Sequence, residues 1–208
     1  MKLQVHPLRS IPRLFFSFVF SLLLPSGCFC LSSTEIVGKV RSTYDGLKTI
    51  SFAFVEKDVS SDGRETTVSK GKVAAMLPGK FRVEFSIPKG KVVASDGENL
   101  FVSVPGEEPF KVSGGEKLGS SPGMFFVEFL ESGKFEASGS EMIGKFGCVK
   151  LLGSVEGEEG PVSVSLWIDK KLWVVRQITV EEETGTKKFV LSDISLNPKM
   201  AHEVFTIP

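Results

Sequence analysis

The chain has 208 residues, 41% of them hydrophobic, and its 25 lysines and arginines are matched by 25 aspartates and glutamates. A chain of this size can bury a substantial core, and a formal net charge of +0 excludes the broad basic field on which nucleic-acid binding depends. Two histidines leave little material for a His-based metal centre or general base, while 18 phenylalanines against one tyrosine supply apolar bulk without hydroxyls that need partners.

Residues 1 to about 30 read as a secretory signal. Lys2, Arg9 and Arg13 form a positive leader, and Leu14 to Leu24 is apolar apart from Ser17 and Ser21. That run is short for a membrane span, and Pro25-Ser26-Gly27 ends it. The expected mature start lies between Cys28 and Thr34. Gly27-Cys28 behind Leu24 also resembles the cleavage box of bacterial lipoproteins, although Pro25 stands where that box has an aliphatic residue. Ordinary cleavage leaves a soluble exported protein; lipidation at Cys28 tethers it to a membrane. Cys148 then has no internal disulfide partner and reads as a small buried residue.

Beyond the leader, Ser33 or Thr34 can cap a helix with Glu35 in its first turn. Ile36, Val37, Val40, Tyr44 and Leu47 make one apolar stripe on it. Ile50 to Val59 reads as a strand with Phe52 and Phe54 on one face. Ser60-Ser61-Asp62-Gly63 turns the chain into a second strand, Thr66 to Met76, and Gly71 inside it permits a bend or bulge. Phe81, Val83 and Phe85 alternate with Arg82, Glu84 and Ser86, a strand with one wet face. Turns at Pro88-Lys89-Gly90 and Ser95-Asp96-Gly97, and the alternation of Leu100, Val102 and Val104 up to Pro105, complete a first meander.

A short strand over Pro109 to Val112 follows. Ser121-Pro122 then starts a helix running to about residue 132, apolar around much of its girth through Met124, Phe125, Val127, Phe129 and Leu130. Such a helix is buried on several sides or faces a ligand. Phe135 to Ile143, Phe146 to Leu152, Val162 to Ile168, Trp173 to Val180 and Lys187 to Ile194 make a second meander. No linker or repeat interrupts it, so residues 31–208 are expected to form one domain. About ten or eleven short strands with two or three helices predict a mainly β, α+β fold built on a strongly curved antiparallel sheet.

The stretch around the third strand resembles a known family. Gly71, Pro78, Phe81, Pro88, Ser95-Asp96-Gly97, Leu100-Phe101 and Pro105 stand in the order found in the periplasmic outer-membrane lipoprotein carriers, the LolA-like proteins. The resemblance implies an incomplete barrel with helices as a lid over an apolar cavity. It implies a periplasmic monomer without cofactors that binds the acyl chains of lipoproteins. Its partners would be acylated lipoproteins, an inner-membrane lipoprotein-releasing transporter and an outer-membrane acceptor. A membrane-tethered acceptor or lipid-binding sensor of the same fold is the alternative, through Cys28. Many members carry Arg immediately before the proline aligned with Pro78, where it bonds lid carbonyls; Leu77 stands there in this chain.

The residues expected to line an acyl-chain cavity are Phe52, Phe54, Phe81, Val83 and Phe85 from the strands and Met124, Phe125 and Phe129 from the helix. The competing reading is that they pack only on one another. No Ser/His/Asp arrangement, phosphate loop or metal-ligand spacing points to an enzyme. Asp96 reads as a turn carboxylate, and His202 as a surface or core residue.

Overall fold

The computed structural model describes residues 31–112, 130, 133–157, 160–182 and 185–206. Its first element is the helix α1, Ser33–Asp45. The cap is Ser32, not Ser33 or Thr34. The Ser32 hydroxyl accepts from the Glu35 N–H at 3.2 Å, and the Glu35 carboxylate accepts from the Ser32 N–H at 2.8 Å. This reciprocal box satisfies two donors that the helix itself cannot, and a capping residue one position earlier lets Glu35 occupy the third helical position. The Ser32 N–H, then its hydroxyl, hold the Glu35 carboxyl below its usual range. Gly46 ends the helix. Ile36, Val40 and Tyr44 form its buried stripe, and Leu47 extends it.

Eleven strands follow: β1 (Thr49–Val59), β2 (Glu65–Met76), β3 (Lys80–Ile87), β4 (Val92–Asp96), β5 (Leu100–Ser103), β6 (Phe110–Val112), β7 (Lys134–Ile143), β8 (Phe146–Gly157), β9 (Gly160–Asp169), β10 (Val175–Glu182) and β11 (Gly185–Leu196). They form one antiparallel sheet in the order β6-β5-β4-β3-β2-β1-β11-β10-β9-β8-β7. The first meander runs outward from the central β1–β11 pair and the second runs inward to it, so the open edges β6 and β7 are neighbours in sequence. The strand count among the described residues matches expectation. Among the described residues there is one α-helix, fewer than the two or three expected. The helix expected over 122–132 lies outside them save for Leu130, which is helical and buried.

One buried cluster joins α1 to side chains of β1, β2 and β3 and of β8, β9, β10 and β11. A helix about 10 Å wide cannot cover that many strands laid flat at roughly 4.8 Å apiece. The sheet therefore curls around α1 into an incomplete barrel. Breaks of register at Ser51/Ala53, Lys70/Gly71, Ala137/Ser140 and Val175/Gln177 supply the local bends that such curvature needs.

Two smaller clusters sit on the outer face. The 3₁₀ turn His202–Phe205 packs against β3 and β4, with Phe205 fully buried and Arg82 Nη1 donating to the Thr206 carbonyl at 3.1 Å. The other lies where β9 turns into β10. Trp173, expected to open a strand, instead occupies that turn with φ 54°, and β10 begins at Val175. The cause is Asp169. Its carboxylate accepts the Lys171 and Leu172 N–H groups at 2.7 and 3.0 Å, which winds the chain tightly enough to carry the turn through Trp173.

Candidate functional site

The inner face of the barrel is the site that the sequence singles out. Phe52, Phe81 and Val83 lie in the main buried cluster, at 5%, 5% and 6% exposure. Alternation put them on one face of their strands, and the register Phe81↔Ala75 and Val83↔Val73 aligns them with the small and branched residues of β2. Phe54 and Phe85 share that face further along the strands but are only half-buried. Their rings meet edge to face, 5.7 Å apart at 85°. Met124, Phe125 and Phe129 lie outside the described residues, as does Cys28.

Burial along the inner face is thus graded. At the end where β1 begins, Ile50, Phe52, Ala75, Phe81, Leu166 and Ile168 are covered together with α1. Toward the other end Phe54, Phe85, Val162, Val180, Phe189 and Phe135 are only partly covered. Four of these, Val162, Val180, Phe189 and Phe135, were not singled out from sequence. Alternation in β9, β10 and β11 was the available signal, but the bulge at Val175/Gln177 shifts the parity that sequence periodicity assumes.

Two glycines let aromatic rings lie flat on this face. A Cβ on Gly71 would fall against the Glu84 carbonyl and 2.8 Å from Phe54 Cε1. A Cβ on Gly153 would meet the Lys134 carbonyl and, at 2.6 Å, Phe135 Cδ1. Gly71 is therefore the floor beneath Phe54, beyond the bend expected of it. Gly71→Ala should destabilise the protein by about 1–3 kcal/mol, the usual cost of overpacking, and push Phe54 off Phe85. A shifted urea midpoint checks the first, and the Phe54 ring resonances check the second.

The rim of the half-covered end is polar. Ser69 Oγ donates to Glu56 Oε2 at 2.8 Å, and the Lys91 ammonium stands 5.2 Å from the Phe85 ring centroid. A partly covered apolar band edged by a carboxylate, a hydroxyl and an ammonium can take a hydrocarbon chain while its polar end stays wet. A cleft of about 380 Å³ opens between α1 and β7, lined by Val37, Gly38, Leu130 and Phe135 among others.

The family model of the outer membrane lipoprotein carrier protein LolA matches residues 45–208. The chain belongs to the LolA family. Two curated relatives, both named outer-membrane lipoprotein carrier protein, align with it. That of Dechloromonas aromatica is 32% identical over 105 residues, covering 48% of this chain and 50% of the relative. That of Methylococcus capsulatus is 27% identical over 112 residues, covering 52% and 54%. The chain thus spans about half the length of the curated relatives it matches. Among solved structures, LprF from Mycobacterium bovis superposes with a TM-score of 0.55 at 11% identity, over 81% of this chain and 95% of that one. The Mycobacterium tuberculosis lipoprotein LppX gives 0.51 at 15%, over 81% and 98%. At such identities these two share the fold.

Two positions of the LolA-like motif take on structural roles here. Leu77, at the position where many LolA-like proteins have Arg, packs against the main core and donates its N–H to the Lys48 carbonyl at 2.8 Å. Asp96 is an Asx-type turn residue: Oδ1 accepts from the Asn99 and Glu98 N–H groups at 2.8 and 2.9 Å. The Asn99 N–H, the Glu98 N–H and the Asn99 amide hold its pKa down at about 2, so it stays ionised as a turn anchor. Cys148 is fully buried, its thiol pushed up by desolvation first and the nearby Asp169 charge second. His202 is exposed. Among the described residues no helix is long and apolar enough to cross a membrane.

Proposed function

We propose that this LolA-family protein is a periplasmic carrier that takes the acyl chains of lipoproteins onto the inner face of its barrel, between the inner and the outer membrane. The observation that carries the reading is the graded inner face: a core closed by α1 at one end, continuous with a half-covered band of phenylalanines at the other. Acyl chains enter over Phe54 and Phe85 and advance toward Val83, Phe81 and Phe52. Met124, Phe125 and Phe129 belong to the covering segment in this reading. Each buried methylene contributes roughly 0.8 kcal/mol, so one long chain supplies on the order of 10 kcal/mol. Family membership supports acylated lipoproteins as cargo, an inner-membrane transporter as donor and an outer-membrane acceptor as recipient.

A fluorescent acyl probe, with native mass spectrometry of the loaded protein, tests this. Phe54→Glu and Phe85→Glu place a carboxylate in that band at positions already partly wet, so the chain keeps its fold while probe binding is lost. A folded Phe54→Glu/Phe85→Glu protein that binds the probe as the parent does would remove the inner face as the site.

A further inference from the structure

At the end of the barrel where α1 packs, two neighbouring turns leave large apolar side chains in solvent. In the β7–β8 hairpin Met142 is 64% exposed, and in the β9–β10 turn Leu172 is 39% exposed. The turns are tied together: the Lys170 N–H donates to the Gly147 carbonyl at 3.0 Å, and Thr43 Oγ1 of α1 reaches the Leu172 carbonyl at 3.5 Å. Half-buried Trp173 sits beside Leu172 with the Lys39 ammonium 4.9 Å from its ring centroid. Exposed Lys145, Lys170 and Lys171 complete the surround.

The charge of the two turns is one-sided. The carboxylates within the two turns are Glu141 and Asp169, and both are engaged from within. Glu141 accepts from Trp167 Nε1 at 2.8 Å and from Lys150 at 3.4 Å; Asp169 is paired with Arg176 at 2.9 Å. Lys145, Lys170 and Lys171 remain on the turns, around Met142 and Leu172, while α1 adds Lys39 beside Trp173 and, two residues beyond Thr43, exposed Asp45. Exposed apolar groups ringed by lysines, with a tryptophan at their edge, match an anionic membrane surface in both parts. The side chains enter the acyl boundary, the lysine stems lie along it, and the ammonium groups meet lipid phosphates.

We propose that the paired β7–β8 and β9–β10 turns are a docking surface for an anionic phospholipid bilayer. Docking there stands apart from the proposed cargo binding, because the partly covered phenylalanines Phe54, Phe85 and Phe189 are at the opposite end of the inner face. The surface brings the carrier to a membrane transiently, with three or four lysines and two or three apolar side chains as its whole attachment.

The test is quenching of Trp173 fluorescence by brominated phospholipid in the full chain, using vesicles of phosphatidylcholine with and without phosphatidylglycerol. Quenching is expected with phosphatidylglycerol, is weakened by added salt, and is lost in Trp173→Phe. Each neutralised lysine should weaken binding about fivefold, so Lys145→Gln/Lys170→Gln/Lys171→Gln should weaken it on the order of a hundredfold. That variant should bind the acyl probe as the parent does. Trp173 that is not quenched, quenching equal with phosphatidylcholine alone, or a triple variant that binds like the parent would each overturn the proposal. Vesicle binding that persists while Trp173 stays unquenched counts among these.

Discussion

Arg176→Met is expected to cost about 3–5 kcal/mol, the cost of orphaning one member of a buried ion pair. The Arg176 and Asp169 side chains are 3% and 4% exposed and 2.9 Å apart. Arg176 Nε and Nη2 both donate to Asp169 Oδ2, while the guanidinium lies 3.7 Å from the Phe146 ring centroid. Lysine can supply neither the second donor nor the flat face, so Arg176→Lys should recover little. Asp169→Asn/Arg176→Met removes both charges and keeps an acceptor for the Lys171 and Leu172 N–H groups. It should be more stable than Arg176→Met alone; urea midpoints of the three variants decide this.

The same pair gives an acid signature. Burial pushes the Asp169 carboxyl up, but the Leu172 and Lys171 N–H groups and the Arg176 guanidinium outweigh it and hold it below 3.8. A carboxylate with a depressed folded pKa contributes stability that is complete above its unfolded value, and this contribution is lost as pH falls through the folded value. The parent protein should therefore lose stability below about pH 4 by an increment that Asp169→Asn lacks. The consequence reaches the membrane surface proposed above, because Asp169 winds the turn that displays Lys170, Lys171 and Leu172. Arg176→Met should weaken vesicle docking without touching a lysine.

The second large effect separates the two ends of the inner face. Phe81→Ala is expected to cost about 3–5 kcal/mol of stability, because its ring is buried among α1, Ala75 and Val73. Phe54→Ala should cost less, since Phe54 is only partly buried and burial energy follows the area removed from water. Acyl-probe affinity should show the reverse order. In the proposed carrier Phe54 is where the chain enters and Phe81 where it ends, so a short-chain probe should lose affinity in Phe54→Ala and keep it in Phe81→Ala. Calorimetry of the two variants, with probes of two chain lengths, reads both orders. If Phe54→Ala binds every probe as the parent does, the entry end has been assigned wrongly.

How much of this could be read from the residues follows from the range over which each signal acts. The strands, their turns and the apolar face of β3 are written locally, in period-two alternation and in Pro, Gly and Asp at the corners, and they came out within a few residues of their observed bounds. The family resemblance rests on the same local punctuation, and the LolA match over residues 45–208 agrees with it. The identity of the helix cap needed one more step, since Ser32, Ser33 and Thr34 are chemically alike and the Glu35 carboxylate chose Ser32 by reach. The grading of the inner face was not legible, because Phe52 and Phe54 are equivalent in any alternation pattern. Tertiary packing decides it: Phe52 falls within the buried cluster that includes α1, and Phe54 at its partly covered edge. Nor did the sequence disclose the lysine-ringed end. Lys145 and Lys170 are far apart along the chain, and at a net charge of +0 composition conceals any local excess. The pairing of β8 with β9 sets their turns side by side, and the buried Asp169–Arg176 pair takes a carboxylate out of the surface, leaving the lysines to face outward.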